Sequence, residues 1–162
     1  MLGAHHDAIH KTETSTTHFN KQRIDFIESY ISNIDFKAND NLELDISSLK
    51  VNGHKRIIST NESDKNVLYK NNSVIRVKFK NHLHNNFIKS KVFYYDNDEL
   101  VCIKLIDILP NELNEVGHRQ RTIYIHDNKP ISDSDLSNSG DPLNELVVLG
   151  QEYLKNEYRS IN

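Results

Sequence analysis

Nine histidines are the residues in this chain best suited to hold a metal. His5, His6 and His10 lie beside Asp7, and His6 and His10 would share one face of a helix. A flexible histidine tract of this kind binds metals weakly and without selectivity. His82 and His84, with Leu83 between them, would point to one side of a strand. That makes two ligands, where a structural zinc site takes about four. His54, His118 and His126 would join them only through long-range folding. The acids Asp96, Asp98, Glu99 and Asp127 sit at turns, where turn chemistry alone explains Asp and Asn. Ser132-Asp133-Ser134-Asp135 with Asp141 is rich in oxygen, but it lacks the glycine and terminal glutamate of an EF-hand and reads as a solvated loop. The single cysteine, Cys102, lies in the strand-like run Leu100 to Leu105 and behaves as a half-buried small hydrophobe. No nucleophile elbow, phosphate loop or HExxH-type zinc motif occurs. No catalytic residue, metal or other cofactor is therefore assigned.

The remaining chemistry is aromatic and cationic. Lys89, Lys91, Phe93 and Tyr95 alternate along one strand and so share one face. Tyr124 belongs to a nearby strand. Left uncovered, Phe93, Tyr95 and Tyr124 with Lys89 and Lys91 would form a surface for a protein or small ligand. The competing reading is cross-strand pairing that stabilises the sheet.

These residues sit in a repeated element. Phe93-Tyr94-Tyr95-Asp96-Asn97-Asp98-Glu99-Leu100-Val101 is echoed by Ile123-Tyr124-Ile125-His126-Asp127-Asn128-Lys129-Pro130-Ile131. Each copy reads as a strand, an Asp/Asn turn and the start of a return strand. Residues 1–17 are polar, have no apolar period and read as a disordered lead-in. Ile24, Ile27, Tyr30, Ile31 and Ile34 fall at helical spacing and predict a helix from about His18 to Ser32. From residue 42 to 131 the apolar period is two. Leu42, Leu44 and Ile46 predict a strand, and Asn52-Gly53 between Leu49–Val51 and Ile57-Ile58 predicts a hairpin. Further strands follow at Val67–Tyr69, Val74–Phe79, Phe87–Tyr95, Glu99–Ile106, Arg119–His126 and Lys129–Ile131. Asp107 to His118 and Ser132 to Gly140 read as loops. Asp141-Pro142 opens a last helix, with Asp141 as N-cap. Leu143, Leu146, Val147, Gly150, Tyr153, Leu154 and Tyr158 form its apolar face, and Gly150 permits close approach to the sheet. The fold class is α+β. An antiparallel meander of about 6–8 strands carries an N-terminal and a C-terminal helix on one face. Residues 18–160 form a single domain.

At 162 residues the chain can bury a core without disulfides or metals. Its net charge is −3 and its cations are scattered among acids, which disfavours nucleic acid as a partner. No apolar run reaches the roughly 20 residues of a transmembrane helix. The polar start has no apolar segment of the signal-peptide kind. An exposed edge strand makes a homodimer plausible.

The paired hairpins, the preceding Asn72-Ser73-Val74-Ile75-Arg76-Val77 and the final amphipathic helix resemble a family of uncharacterised small proteins. These come from Bacteroidetes-type bacteria and are exported or lipid-anchored. They carry a YYFDNGKL-like hairpin twice before a C-terminal helix. The likeness covers residues 65 to 158. The second copy departs from it, with Ile125-His126 in place of an aromatic pair and Pro130 in place of leucine. The resemblance implies an exported or periplasmic location and brings no catalytic residue. The leading expectation is a non-catalytic bacterial binding module that uses a sheet face or groove. One alternative is an immunity-type inhibitor whose acidic face meets a basic toxin. Another is an enzyme or ligand binder on an NTF2-like cone, with a deep pocket under a curved sheet.

Overall fold

The computed structural model describes residues 4–38, 53–59, 63–84, 87–110, 116–135 and 140–161. Helix α1 (Ala4–Ala38) precedes strands β1 (Gly53–Ser59), β2 (Ser63–Lys70), β3 (Ser73–His82) and β4 (Ile88–Asp96). Strands β5 (Glu99–Pro110), β6 (Val116–His126) and β7 (Lys129–Asp133) follow, and helix α2 (Leu143–Ile161) completes the order. The strands form one seven-stranded sheet in sequence order. Every neighbouring pair is antiparallel. This is the α+β meander with terminal helices that the periodicity predicts.

The hairpin repeat occurs three times rather than twice. The β2–β3, β4–β5 and β6–β7 turns pass through Asn71-Asn72, Asn97-Asp98 and Asp127-Asn128, all with φ between 49° and 64°. Positive φ at both central positions is the type I′ geometry, whose twist matches that of paired strands. Asn and Asp tolerate it better than other residues with a side chain. Behind each turn the register shifts by one residue, leaving Ile75, Val101 and Ile131 opposite no partner. Such bulges increase local twist and are part of the repeated unit.

The two helices lie on opposite faces of the sheet, not on one face as expected. Ile27, Ile31, Ile34 and Ala38 of α1 pack on Leu68, Val92, Tyr94, Val101 and Cys102. Leu146 and Val147 of α2 pack on Val67, Val77, Phe93, Tyr95, Ile103 and Ile123 from the other side. The reason is written in β4 and β5. Val92-Phe93-Tyr94-Tyr95 and Leu100-Val101-Cys102-Ile103 are buried at every position, so both faces need a cover.

Helix α1 also starts at Ala4, well before His18, so most of the segment read as disordered is helical. Extending a helix adds one hydrogen bond per residue without a new nucleus, and no apolar face is required for it. Strand β5 runs to Pro110 and β6 starts at Val116, both longer than expected. Gly53 opens β1, whose hairpin partner is β2. The strand expected at Leu42–Ile46 and the hairpin arm at Leu49–Val51 lie outside the described residues.

Candidate binding cleft

The register places the candidate residues in two cross-strand rows on the α2 face. Lys91, Leu105 and Arg121 stand side by side on β4, β5 and β6. One step further along the strands, Lys89, Asp107 and Arg119 form the next row. Phe93 and Tyr95 continue the same face of β4 in the other direction, and there α2 covers them.

That cover corrects the expected aromatic platform. Phe93 and Tyr95 are both 0% exposed. A Cβ at Gly150 would stand 2.8 Å from Phe93 Cδ1 and 2.8 Å from Leu100 Cδ2, so the helix backbone lies directly on these side chains. The Tyr95 hydroxyl donates to the Gly150 carbonyl at 2.6 Å, and Phe93 meets Tyr153 edge-on at 5.2 Å. Tyr124 falls on the opposite face, where its hydroxyl donates to Glu28 Oε1 of α1 at 2.6 Å. The three rings therefore share no surface. Lys89 and Lys91 escape because α2 begins only at Leu143 and leaves the far end of β4–β6 open.

At that open end lies a cleft of about 760 Å³, lined by Lys89, Lys91, Leu105, Asp107, Arg119 and Arg121, with Asp135 and Asp141 on its rim. Its cations differ in what they do. Arg121 is fixed: Nε and Nη2 donate to the two oxygens of Asp133 at 3.0 and 2.7 Å. Its Nη1 donates to the Asp141 carbonyl at 2.8 Å. This two-pronged contact raises the Arg121 pKa and holds the Asp133 carboxyl below the usual carboxylate range. Asp133 also accepts the Asp135 backbone N–H at 3.0 Å, which shapes the rim. Lys91 pairs with Asp141 at 3.1 Å, and both side chains remain substantially in solvent. Lys89 extends over the Phe87 ring at 5.5 Å. Among the described residues, neither Lys89 nor Arg119 forms an ion pair.

The other chemistry-bearing residues are occupied elsewhere. His82 Nε2 lies 3.4 Å from Asp64, and the His126 ring rests on Phe19 at 5.3 Å. Asp133, from the oxygen-rich loop, is spent on Arg121. Among the described residues, no group of three or more His, Cys, Asp or Glu is arranged to hold a metal. On the α1 face, Asp35 receives Arg76 at 3.0 Å, Lys104 at 3.5 Å and the Tyr94 hydroxyl at 2.8 Å. This cluster fastens α1 to the sheet. Burial beside it pushes the Cys102 thiol up to about 12, so it stays protonated and unreactive.

Arg119, Arg121 and Asp107 line the cleft and are not among the candidates the sequence offers. Asp107 looks like a loop residue in the sequence, yet β5 runs through it to Pro110. The alternation of Arg119 and Arg121 along β6 was a usable signal. Their placement opposite Lys89 and Lys91 depends on cross-strand register. No protein-family model, curated protein or solved structure matches this chain.

Proposed function

We propose that this chain is a non-catalytic binding module that takes an anionic group of a protein or small ligand into the cleft above β4–β6. The observation that carries the reading is that Lys89, Lys91, Arg119 and Arg121 line one cleft, with Lys89 and Arg119 outside any ion pair among the described residues. These cations come from two strands that flank β5, and α2 stops short of them. Cations held by a folded wall cost little further ordering when they bind. The N-terminal end of α2 adds its partial positive charge to the same rim.

The alternatives receive less support. An immunity-type inhibitor with an acidic face would meet a basic toxin, whereas this cleft favours an acidic partner. An NTF2-like binder needs an open interior under the sheet, and here Phe93, Tyr95 and Tyr153 fill that space under α2. The exported setting rests on the resemblance of the hairpins.

Amide chemical-shift mapping tests the proposal. The labelled protein is titrated at low salt with citrate, an acidic peptide and inorganic phosphate. Shifts should concentrate on residues 89–91, 105–107 and 119–121 for at least one anion and fade as salt is added. Shifts scattered over the surface, or confined to the α1 face, would remove the cleft as the site.

A further inference from the structure

One exposed ion pair in the cleft joins Lys91 to Asp141, just before α2. Asp141 immediately precedes Pro142, whose carbonyl accepts the first hydrogen bond of α2, from Leu146 N at 3.1 Å. Pro142 is therefore the N-cap residue, and Asp141 stands one position before the helix rather than at the N-cap expected from the sequence. The Asp141 carboxylate reaches Lys91 at 3.1 Å, with side chains 52% and 35% exposed. Exposed pairs of this kind are worth about 0–1 kcal/mol, so another carboxylate exchanges with Asp141 at little cost.

The arrangement of cations narrows the ligand. Lys89 and Lys91 are alternate residues of one strand, about 6.8 Å apart along it. Arg119 stands across β5, about 10 Å from Lys89. Asp107, between the two, repels an anion whose charge is concentrated at one point. An extended polypeptide also repeats its same-side groups every 6.8 Å or so. Alternate carboxylates along it match the lysines in spacing and sign.

We propose that Asp141 is a built-in competitor, which holds Lys91 in the free protein and yields it to a carboxylate of an extended acidic segment of a partner protein. Lys89 and Arg119 receive further carboxylates of the same segment. This inference rests on the reading of the cleft as the binding site. It adds the ligand class and an internal contact that sets the affinity.

The test is calorimetric titration of the full chain with a peptide of alternating glutamate and serine, and with inorganic phosphate. Wild type is compared with Asp141→Asn and with the double variant Lys89→Ala, Arg119→Ala. Thermal melts establish that each variant is folded. Asp141→Asn should bind the peptide about two- to five-fold tighter, because an opponent worth up to 1 kcal/mol has been removed. The double variant should bind it at least about ten-fold more weakly, and phosphate should bind weakly to all three proteins. Unchanged or weaker peptide binding by Asp141→Asn, with the loss in the double variant intact, would overturn the competitor role and leave the cleft standing. Undiminished binding by the double variant, or no peptide binding by any protein, would remove both. An equal gain for phosphate on Asp141→Asn would replace the acidic segment with a small anion.

Discussion

Tyr95 joins the two halves of the molecule through a single residue. Its backbone carbonyl accepts the Tyr30 hydroxyl of α1 at 2.6 Å, while its own hydroxyl donates to Gly150 of α2 at 2.6 Å. The ring and the carbonyl serve opposite sides of the sheet, so each helix is registered against the same point. Replacing Tyr95 with Phe keeps the packing and deletes one buried hydrogen bond. A loss of about 1 kcal/mol is expected, read as a drop of roughly 2–4 °C in Tm. A Tyr95→Phe protein as stable as wild type would show that α2 is placed by packing alone. The sequence singles out Tyr95 as a surface residue, whereas the fold buries it under α2. An aromatic on a strand announces that it must be covered or used, and which of these holds depends on an element some fifty residues away.

At the scale of elements, α2 is the part best read from the sequence. Its apolar residues were assigned correctly, and Gly150 was expected to allow a close approach. The contacts explain why. A methyl group at Gly150 would meet carbon atoms of Leu100 and Phe93 at 2.8 Å, and both of these are buried. Ala is better than Gly in a helix by about 1 kcal/mol, so propensity alone would make Gly150→Ala stabilising. Overpacking costs about 1–3 kcal/mol and should win. A lower urea midpoint is therefore expected, and an unchanged or higher one would mean that α2 can slide off the sheet without loss. The I′ turns were legible in the same way, because Asn and Asp pairs carry their own backbone preference. The side of the sheet that each helix takes was not legible. The length of β5 was not legible either, because Asp107 looks like a loop residue until Lys89 and Arg119 stand beside it.

The whole molecule holds its phenols in two separate cores. Burial, aided by Asp96, pushes Tyr30 up to about 12. Tyr94, Tyr95 and Tyr124 are raised as well, each chiefly by burial. A tyrosine whose folded pKa exceeds its unfolded value near 10 favours the folded state while it keeps its proton. That contribution is complete below about pH 10 and is lost as pH rises through the folded values. Unfolding in this window releases protons, so stability falls with pH. Urea midpoints should hold steady from neutral pH to about pH 9 with respect to these groups, then fall steeply above pH 10, together with the appearance of phenolate absorbance. Phenolate formation near pH 10 in the still-folded protein would mean that the rings are reached by water. The class of the molecule, its meander and its terminal helices were all foreshadowed by the change of period from helical to alternating. Its three layers were not, because alternation describes one strand at a time and a layer is a property of all seven.

The strand order also sets a timetable for synthesis. Each hairpin of the meander can close as soon as its second strand has been made, because neighbours in the sheet are neighbours in the chain. Among the described residues, helix α1 has no such immediate partner. Tyr30 waits 65 residues for Tyr95, and Glu28 waits 96 residues for Tyr124. At about 5–20 residues per second, that interval is on the order of 3–20 s. During it the Ile27, Ile31 and Ile34 stripe has Leu68 of β2 but not yet the full set of Val92, Tyr94, Val101 and Cys102 to lie on. Helix α1 thus completes its packing later than the β2–β3 hairpin that follows it, although it is made earlier.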